Sequence, residues 1–266
     1  MKEYYKTENG KLFCCDNVKY LISVKDNTID LTVTSPPYDN LRDYLGYSWD
    51  FKALAKELYR TTKEGGVVVW VVGDATVDGS ETGSSFRQAL YFMKCGFNLH
   101  DTMIYEKNSA PQNNKRYEQK FEYMFVFSKG QLKTFNPIKS ISKKHGSHQT
   151  SGHRKKDGTI IDRNTIVSKY KVIGNIWFFY AGNGESDKLA EKHPARFPEK
   201  LAYDHIISWS NENDLIFDPF MGSGTTAKMC EKSNRKWVGC EISEEYCEIT
   251  KVRVENERTQ LKLSFV

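Results

Sequence analysis

The segment Ser35-Pro36-Pro37-Tyr38 combines a hydroxyl group, two prolines and an aromatic ring directly after a β-branched run, Ile29–Thr34. Proline fixes φ and lacks an N–H, so the carbonyls of this turn are free of sheet hydrogen bonding. The Ser35 hydroxyl and the Pro36 carbonyl can accept both protons of an –NH₂ group, and Tyr38 offers a face for a stacked base. Two fixed acceptors would localise the delocalised lone pair of an exocyclic amine for attack on an electrophile. A rigid turn that only ends a strand is the alternative.

A second segment turns from a strand into a helix through glycines. It is D-P-F-M-G-S-G-T-T, from Asp218 to Thr226, and it follows the apolar residues 215–217. Glycines at such a turn let the backbone approach a ligand closely, and the next helix offers free N–H groups. The following strand ends in Glu241, whose carboxylate can accept hydrogen bonds from both ribose hydroxyls of an adenosine. A plain tight turn is the alternative.

Two other nucleotide-binding patterns compete for this turn. A phosphate-binding P-loop requires the lysine of G-K-[ST], which Gly222-Ser223-Gly224-Thr225-Thr226 lacks. A dinucleotide fingerprint, G-x-G-x-x-G, would need a glycine where Ala227 stands. The turn therefore favours a nucleoside-containing ligand without a P-loop phosphate site.

The elements around the two segments follow one order. Residues 29–34, 51–62 and 65–73 are typical of a strand, a helix and a strand, and residues 215–217, 227–232 and 236–241 repeat that order. Continuous apolar runs indicate strands that are covered on both faces. We therefore expect an α/β fold with a mostly parallel central sheet and helices on both faces.

Positive charge is concentrated between Gln131 and Tyr180. That segment has ten Lys and Arg against two Asp, a charge of +8, which leaves 5 minus 8, or −3, for the rest of the chain. Such a segment favours a polyanionic partner, although a solvated basic loop is the alternative.

Composition excludes several classes of protein. The chain has 266 residues, 39% of them hydrophobic, so it can bury a core. The longest apolar run, residues 65–73, is far shorter than the roughly 20 residues of a membrane-spanning helix. Residues 1–6 contain no apolar signal region, so we expect a cytoplasmic protein. The six cysteines form no C-x-x-C pair, and we expect no metal site.

Together these motifs resemble the amino-DNA methyltransferases, which use S-adenosylmethionine to methylate exocyclic nitrogens. Thr34-Ser35-Pro36-Pro37-Tyr38 is similar to their catalytic motif, and the segment from Asp218 to Thr226 is similar to their cofactor loop. The catalytic motif comes first and the basic segment lies between the two, which is the order of the circularly permuted beta class. The resemblance implies a Rossmann-like methyltransferase fold with a catalytic half at 1–130, a target-recognition insertion at 131–185 and a cofactor-binding half at 186–266.

The resemblance also implies roles for individual residues. The catalytic set is Ser35, Pro36, Pro37 and Tyr38. The cofactor-binding set is Asp16 at the adenine, Glu241 at the ribose, and Thr34, Phe197, Pro198, Asp218, Pro219, Phe220, Gly222, Ser223, Gly224 and Thr225. The DNA-binding set is Lys143, Lys144, Arg154, Lys155, Lys156 and Arg163, with Gln149 and Asn164 as further candidates for contacts to base edges.

The first residue of the catalytic motif bears on the target base. T-S-P-P-Y resembles enzymes that methylate N4 of cytosine, whereas D-P-P-Y is commoner in those that methylate N6 of adenine. Methylation at C5 of cytosine is disfavoured because the sequence has no Pro-Cys pair. RNA or a protein amide stays open as a substrate, and so does a DNA-binding protein that has lost catalysis. The expected partners are double-stranded DNA and a separately acting restriction endonuclease, and the protein itself is expected to be a monomer or a homodimer.

Overall fold

The computed structural model describes residues 1–38, 49–108, 115–180, 189 and 198–264, apart from the side chains of Ser151, His153, Asp162, Arg163 and Ser264. The predicted cofactor-binding residue Phe197 lies outside the described residues. In the described part of the chain, no helix has the length and apolar character needed to cross a membrane.

The strands are numbered in chain order. They are Lys2–Lys6 (β1), Gly10–Cys14 (β2), Ile29–Thr34 (β3), Thr62–Val72 (β4), Thr76–Val77 (β5), Ser80–Glu81 (β6), Asn98–Lys107 (β7), Phe121–Ser128 (β8), Lys139–Ile141 (β9), His148–Arg154 (β10), Ile160–Ile166 (β11), Tyr170–Val172 (β12), Ile176–Phe179 (β13), Leu215–Asp218 (β14) and Lys236–Glu241 (β15). The helices are Asn17–Ile22 (α1), Phe51–Thr61 (α2), Ser84–Cys95 (α3), Glu199–Trp209 (α4), Thr225–Lys232 (α5) and Glu244–Ser264 (α6).

Nine strands form the central sheet in the order β1-β2-β15-β14-β3-β4-β8-β7-β13. The five neighbours from β2 to β4 are all parallel, whereas β1 and β8 run antiparallel to their neighbours. The carboxyl ends of β2, β15, β14, β3 and β4 therefore meet at one edge of the sheet. This edge is where ligands bind in open α/β folds.

Helices cover the sheet in two groups. Helix α2 contacts α1 and α3, helix α5 contacts α4 and α6, and both groups contact the sheet. Strand β4 shows why helices must cover both faces of the sheet, since residues 67–72 are all buried. Trp70 packs with Phe92 of α3, at 5.0 Å between ring centroids, while the alternate residues Val69 and Val71 point to the other face. The expected α/β methyltransferase-like fold with a mostly parallel sheet is confirmed.

The chain separates into two compact units, residues 1–136 with 175–266 and residues 137–174. The second unit contains two antiparallel ladders, β10 with β11 and β9 with β12. The structure ends this unit earlier than the predicted insertion at 131–185, because Ile176–Phe179 pairs in parallel with β7 in the central sheet. Trp177 and Phe179 are buried there, whereas Ile176 and Phe178 are exposed.

Candidate active site

Four of the predicted site elements meet at the carboxyl edge of the parallel strands. Asp16 follows β2, Glu241 ends β15, Asp218 ends β14 and Ser35 follows β3. These strands are consecutive neighbours in the sheet. The fold therefore brings together segments that are more than 180 residues apart in the chain.

Asp218 links the two motifs through its buried carboxylate. Its Oδ1 accepts hydrogen bonds from Thr34 Oγ1 at 2.7 Å and from the Phe220 backbone N–H at 3.0 Å. Its Oδ2 accepts from Thr226 Oγ1 at 2.6 Å. Burial raises the pKa of Asp218, and the three donors oppose that rise. Asp218 thus holds the end of β3, the glycine turn and the start of α5 in one arrangement.

The glycine turn follows a path that side chains would not allow. Gly222 and Gly224 have positive φ angles of 53° and 83°. A Cβ on Gly224 would lie 2.7 Å from Thr250 Cγ2 and 2.9 Å from Thr250 Cα. Thr250 also donates from Oγ1 to the Gly222 carbonyl at 2.9 Å. Helix α6 therefore supports the turn closely, and glycine is required at position 224.

A fully buried guanidinium also supports this turn. Arg253 of α6 contacts the Ser223 carbonyl, Ser223 Oγ at 3.1 Å and Thr225 Oγ1 at 3.2 Å. Its charge is balanced by Glu199 Oε1 at 2.7 Å, which also lies 2.8 Å from Lys228 Nζ. Arg253 and Glu199 are not among the residues predicted from the sequence, because no motif connects α6 and α4 to the glycine turn.

Glu241 is half-buried, and backbone N–H groups hold both of its carboxylate oxygens. Oε2 accepts from Gly222 at 2.8 Å, and Oε1 accepts from Ile242 and Ser243 at 2.9 Å each. Burial raises the pKa of Glu241, while these donors favour the ionised form. The carboxylate is thereby fixed beside the glycine turn, as the spacing predicts.

Asp16, the first of the predicted cofactor-binding residues in the chain, caps α1. Its Oδ1 accepts from the Lys19 N–H at 2.8 Å. The adjacent Asn17 is buried and donates from Nδ2 to the Pro219 carbonyl at 3.1 Å. Asn17 therefore ties the start of α1 to the turn after Asp218, a link that the sequence reasoning also missed.

Ser35 and Tyr38 contact each other within the turn after β3. Ser35 Oγ lies 2.8 Å from the Tyr38 hydroxyl. The same hydroxyl lies 3.0 Å from Glu122 Oε2 and 3.2 Å from the Val71 carbonyl. Glu122 in turn forms a salt bridge with Lys107. Glu122 and Lys107 carry no motif of their own and were absent from the predicted site.

The structure places the other predicted residues as follows. Pro36, Pro219, Ser223 and Thr225 are buried; Pro37, Pro198 and Phe220 are half-buried; Lys143, Lys144, Arg154, Lys155 and Lys156 are exposed in the second unit. Pro198 precedes α4, and Phe220 packs edge-on against Trp49 at 4.9 Å between ring centroids. The side chain of Arg163 lies outside the described part of the chain, although its backbone belongs to β11.

This chain is similar to known proteins in both sequence and fold. Residues 29–252 match the model of a family described as DNA methylase. The chain is 59% identical over 243 residues to the orphan methyltransferase M.BamHII of Bacillus amyloliquefaciens, covering 88% of this chain and 91% of that protein. It is 27% identical over 260 residues to the type II methyltransferase M.BglII of Bacillus subtilis, covering 92% and 68%.

Solved structures agree on the fold. PvuII DNA methyltransferase (cytosine-N4-specific) superposes with a TM-score of 0.70 at 22% identity, over 95% of this chain and 88% of that one. M1.HpyAVI, solved as its complex with SAM, superposes with a TM-score of 0.62 at 20% identity, over 92% and 99%. The family match covers most of the chain and both motifs of the sheet edge. The chain therefore belongs to the DNA methylase family.

Proposed function

We propose that this protein transfers a methyl group from S-adenosylmethionine to the exocyclic N4 of cytosine in double-stranded DNA. The observation that carries the proposal is the bond between Thr34 Oγ1 and Asp218 Oδ1, at 2.7 Å. This buried contact joins the residue before Ser35 to the residue that opens the glycine turn. An amine held at Ser35 and a nucleoside held at the turn would then be neighbours.

The turn region suits an adenosine-containing cofactor. The Glu241 carboxylate is fixed next to Gly222 and can accept from ribose hydroxyls, and Asp16 follows the neighbouring strand, where it can meet the adenine. Their negative charges are compatible with a cationic sulfonium. When bound, S-adenosylmethionine supplies an electrophilic methyl group.

The residues after β3 act on the amine. Because a duplex hides the amine in a base pair, the cytosine flips out and stacks on the Tyr38 ring. Ser35 Oγ and the Pro36 carbonyl accept hydrogen bonds from its two N–H groups, which points the nitrogen lone pair at the methyl group. As the N–C bond forms, the S–C bond of the sulfonium would break with its electron pair left on sulfur, and the nitrogen would lose one proton to solvent. Positioning then supplies most of the rate enhancement, without a covalent intermediate on the protein.

Cytosine is favoured over adenine by Ser35. A neutral hydroxyl stands where the resembling adenine enzymes more commonly carry a carboxylate. The structural neighbour from PvuII is named as cytosine-N4-specific, which supports this choice.

The second unit is the proposed DNA-reading element, with its exposed basic residues at 143, 144 and 154–156.

A split between turnover and cofactor affinity tests these roles. Ser35→Ala should lower kcat by at least about 100-fold and leave the Kd for S-adenosylmethionine within about twofold. Glu241→Ala should instead raise that Kd by about tenfold or more. Ser80→Ala, an exposed serine of the same unit, is the control and should change neither. Equal losses of turnover and cofactor affinity in Ser35→Ala would contradict the assigned role.

The DNA-reading role has its own test. Replacing Lys143, Lys144, Lys155 and Lys156 with alanine should reduce the slope of log K against log salt by about 0.9 for each phosphate that the protein no longer neutralises. The matched control replaces four exposed lysines of the other unit, Lys25, Lys52, Lys56 and Lys94. An unchanged slope in the first variant would remove the second unit from the DNA interface. A cytoplasmic location, a separate restriction endonuclease and the oligomeric state stay predictions.

A further inference from the structure

A row of hydrogen-bonding groups runs from the catalytic serine into the sheet. Ser35 Oγ lies 2.8 Å from Tyr38 Oη, which lies 3.0 Å from Glu122 Oε2, and Glu122 Oε1 meets Lys107 Nζ. Strand β7 ends at Lys107 and β8 begins at residue 121, so both side chains lie at the same sheet edge as Ser35. The side chains of Glu122 and Lys107 are only 16% and 22% exposed, which limits exchange with water.

The number of available protons determines which group donates each hydrogen bond between Ser35, Tyr38 and Glu122. Glu122 is paired with an ammonium group and can only accept. The Tyr38 hydroxyl has one proton, and both Glu122 Oε2 and the Val71 carbonyl are acceptors beside it, so that proton points away from Ser35. The 2.8 Å contact then needs the proton of Ser35, which donates to Tyr38 Oη. The lone pairs of Ser35 Oγ are left as acceptors.

We infer that Glu122 is a positioning residue, which acts through Tyr38 to keep the Ser35 hydroxyl in the orientation that accepts from the target amine. The inference rests on the proposed function, because it supplies what that function needs from serine. A hydroxyl can donate or accept, and a donating serine would compete for the lone pair that must attack the methyl group. Glu122, together with the Val71 carbonyl, removes that choice before the base enters.

Glutamine at position 122 should weaken the preference of the Ser35 hydroxyl for donating to Tyr38. Its amide has one acceptor oxygen and one donor nitrogen. The Lys107 ammonium would donate to the amide oxygen of this glutamine, so the –NH₂ group would face Tyr38 Oη. Tyr38 Oη would then accept from Gln, and of the two acceptors named above only the Val71 carbonyl, at the longer distance of 3.2 Å, would still direct its proton away from Ser35. Removing the ammonium as well would let the amide turn its oxygen back to Tyr38.

The test measures methyl transfer and S-adenosylmethionine affinity for these variants on unmethylated bacterial DNA. We expect Glu122→Gln to lower kcat by about 10- to 100-fold, with the cofactor Kd within about twofold. The double variant Lys107→Met/Glu122→Gln should be at least about threefold faster than Glu122→Gln alone. In a Tyr38→Phe background, where the row is cut, Glu122→Gln should change kcat by less than about twofold. Glu106→Gln, an exposed acid on β7, is the control and should be unaffected.

The outcomes separate this inference from the proposed function. If the wild type transfers methyl groups but the double variant Lys107→Met/Glu122→Gln is no faster than Glu122→Gln, Glu122 has only a structural role and the inference is overturned. An equal effect of Glu122→Gln with and without the Tyr38 hydroxyl would also overturn it. If the wild type transfers no methyl group to any DNA while it binds S-adenosylmethionine, the proposed function fails, and the inference fails with it.

Discussion

Arg253→Met is the substitution that most directly probes the support beneath the glycine turn. The guanidinium is fully buried and contacts Ser223, Thr225 and Glu199. Methionine has a similar length and keeps the apolar packing of the stem, but it makes none of these polar contacts. The turn would lose its link to α6 at the point where the backbone passes through Gly224.

The expected loss follows from the charges that are left behind. Breaking a buried ion pair by removing one partner costs about 3–5 kcal/mol of the free energy of unfolding. Glu199 keeps a second partner in Lys228, at 2.8 Å, so it is not left without a counter-charge. We therefore expect the lower end, about 3 kcal/mol. For a chain of this size that corresponds to a fall in Tm of roughly 6–12 °C.

Urea unfolding measures the loss of stability, and calorimetric titration with S-adenosylmethionine measures the rise in cofactor Kd that we expect when the turn loses its support. The matched control is Lys251→Met on the same helix, because Lys251 and Glu248 form an exposed pair at 3.2 Å. That control should cost about 0.3–0.5 kcal/mol and leave cofactor affinity unchanged. A loss below about 1 kcal/mol in Arg253→Met, or an unchanged cofactor Kd, would show that the turn does not depend on Arg253.

Two further predictions concern backbone strain and acid stability. Gly224→Ala should abolish measurable cofactor binding and lower the free energy of unfolding by at least about 2 kcal/mol, because the positive φ and the contact with Thr250 both oppose a Cβ. The control Gly158→Ala has a φ of 86° but open space around it, so it should cost about 1 kcal/mol and leave cofactor binding intact. Equal effects of the two in urea unfolding would mean that the contact with Thr250 is unimportant. Burial lowers the pKa of His205 to about 3, so between about pH 6.5 and 3 the unfolded chain binds a proton that the folded chain does not, and stability falls as the pH falls. His205→Gln should flatten this dependence by up to about 1.4 kcal/mol per pH unit, whereas the exposed His145→Gln should not; the same slope in all three proteins would contradict the assignment.

The fold and the two motifs could be predicted because their signals are local. A few consecutive residues are enough to predict the apolar run of β4 and the glycine turn before α5. The residues of β13 show the limit of this approach. Charge alone places them in the basic insertion, but the alternating burial of Ile176–Phe179 reflects pairing with β7, which no local pattern reveals.

The supporting residues of the site could not be predicted, since each comes from a distant segment and has an ordinary role in its own helix or strand. Glu122 lies 84 residues from Tyr38, and Arg253 lies 30 residues from Ser223. Asp218 illustrates a different gap. Its position was predicted as part of the cofactor loop, but in the structure both of its oxygens accept hydrogen bonds from the protein. A buried carboxylate with three internal donors organises the loop, and direct cofactor contact by Asp218 stays a prediction.

The most direct test of the central claim is a nucleoside analysis. The protein would be expressed in bacteria that lack DNA methylation, their DNA digested to nucleosides, and the products measured by mass spectrometry beside a Ser35→Ala strain. We predict N4-methylcytosine in the wild-type strain and its loss in the variant. N6-methyladenine would keep methyl transfer to an exocyclic amine but contradict the choice of cytosine, and the absence of any methylated nucleoside would contradict the claim that this site methylates DNA.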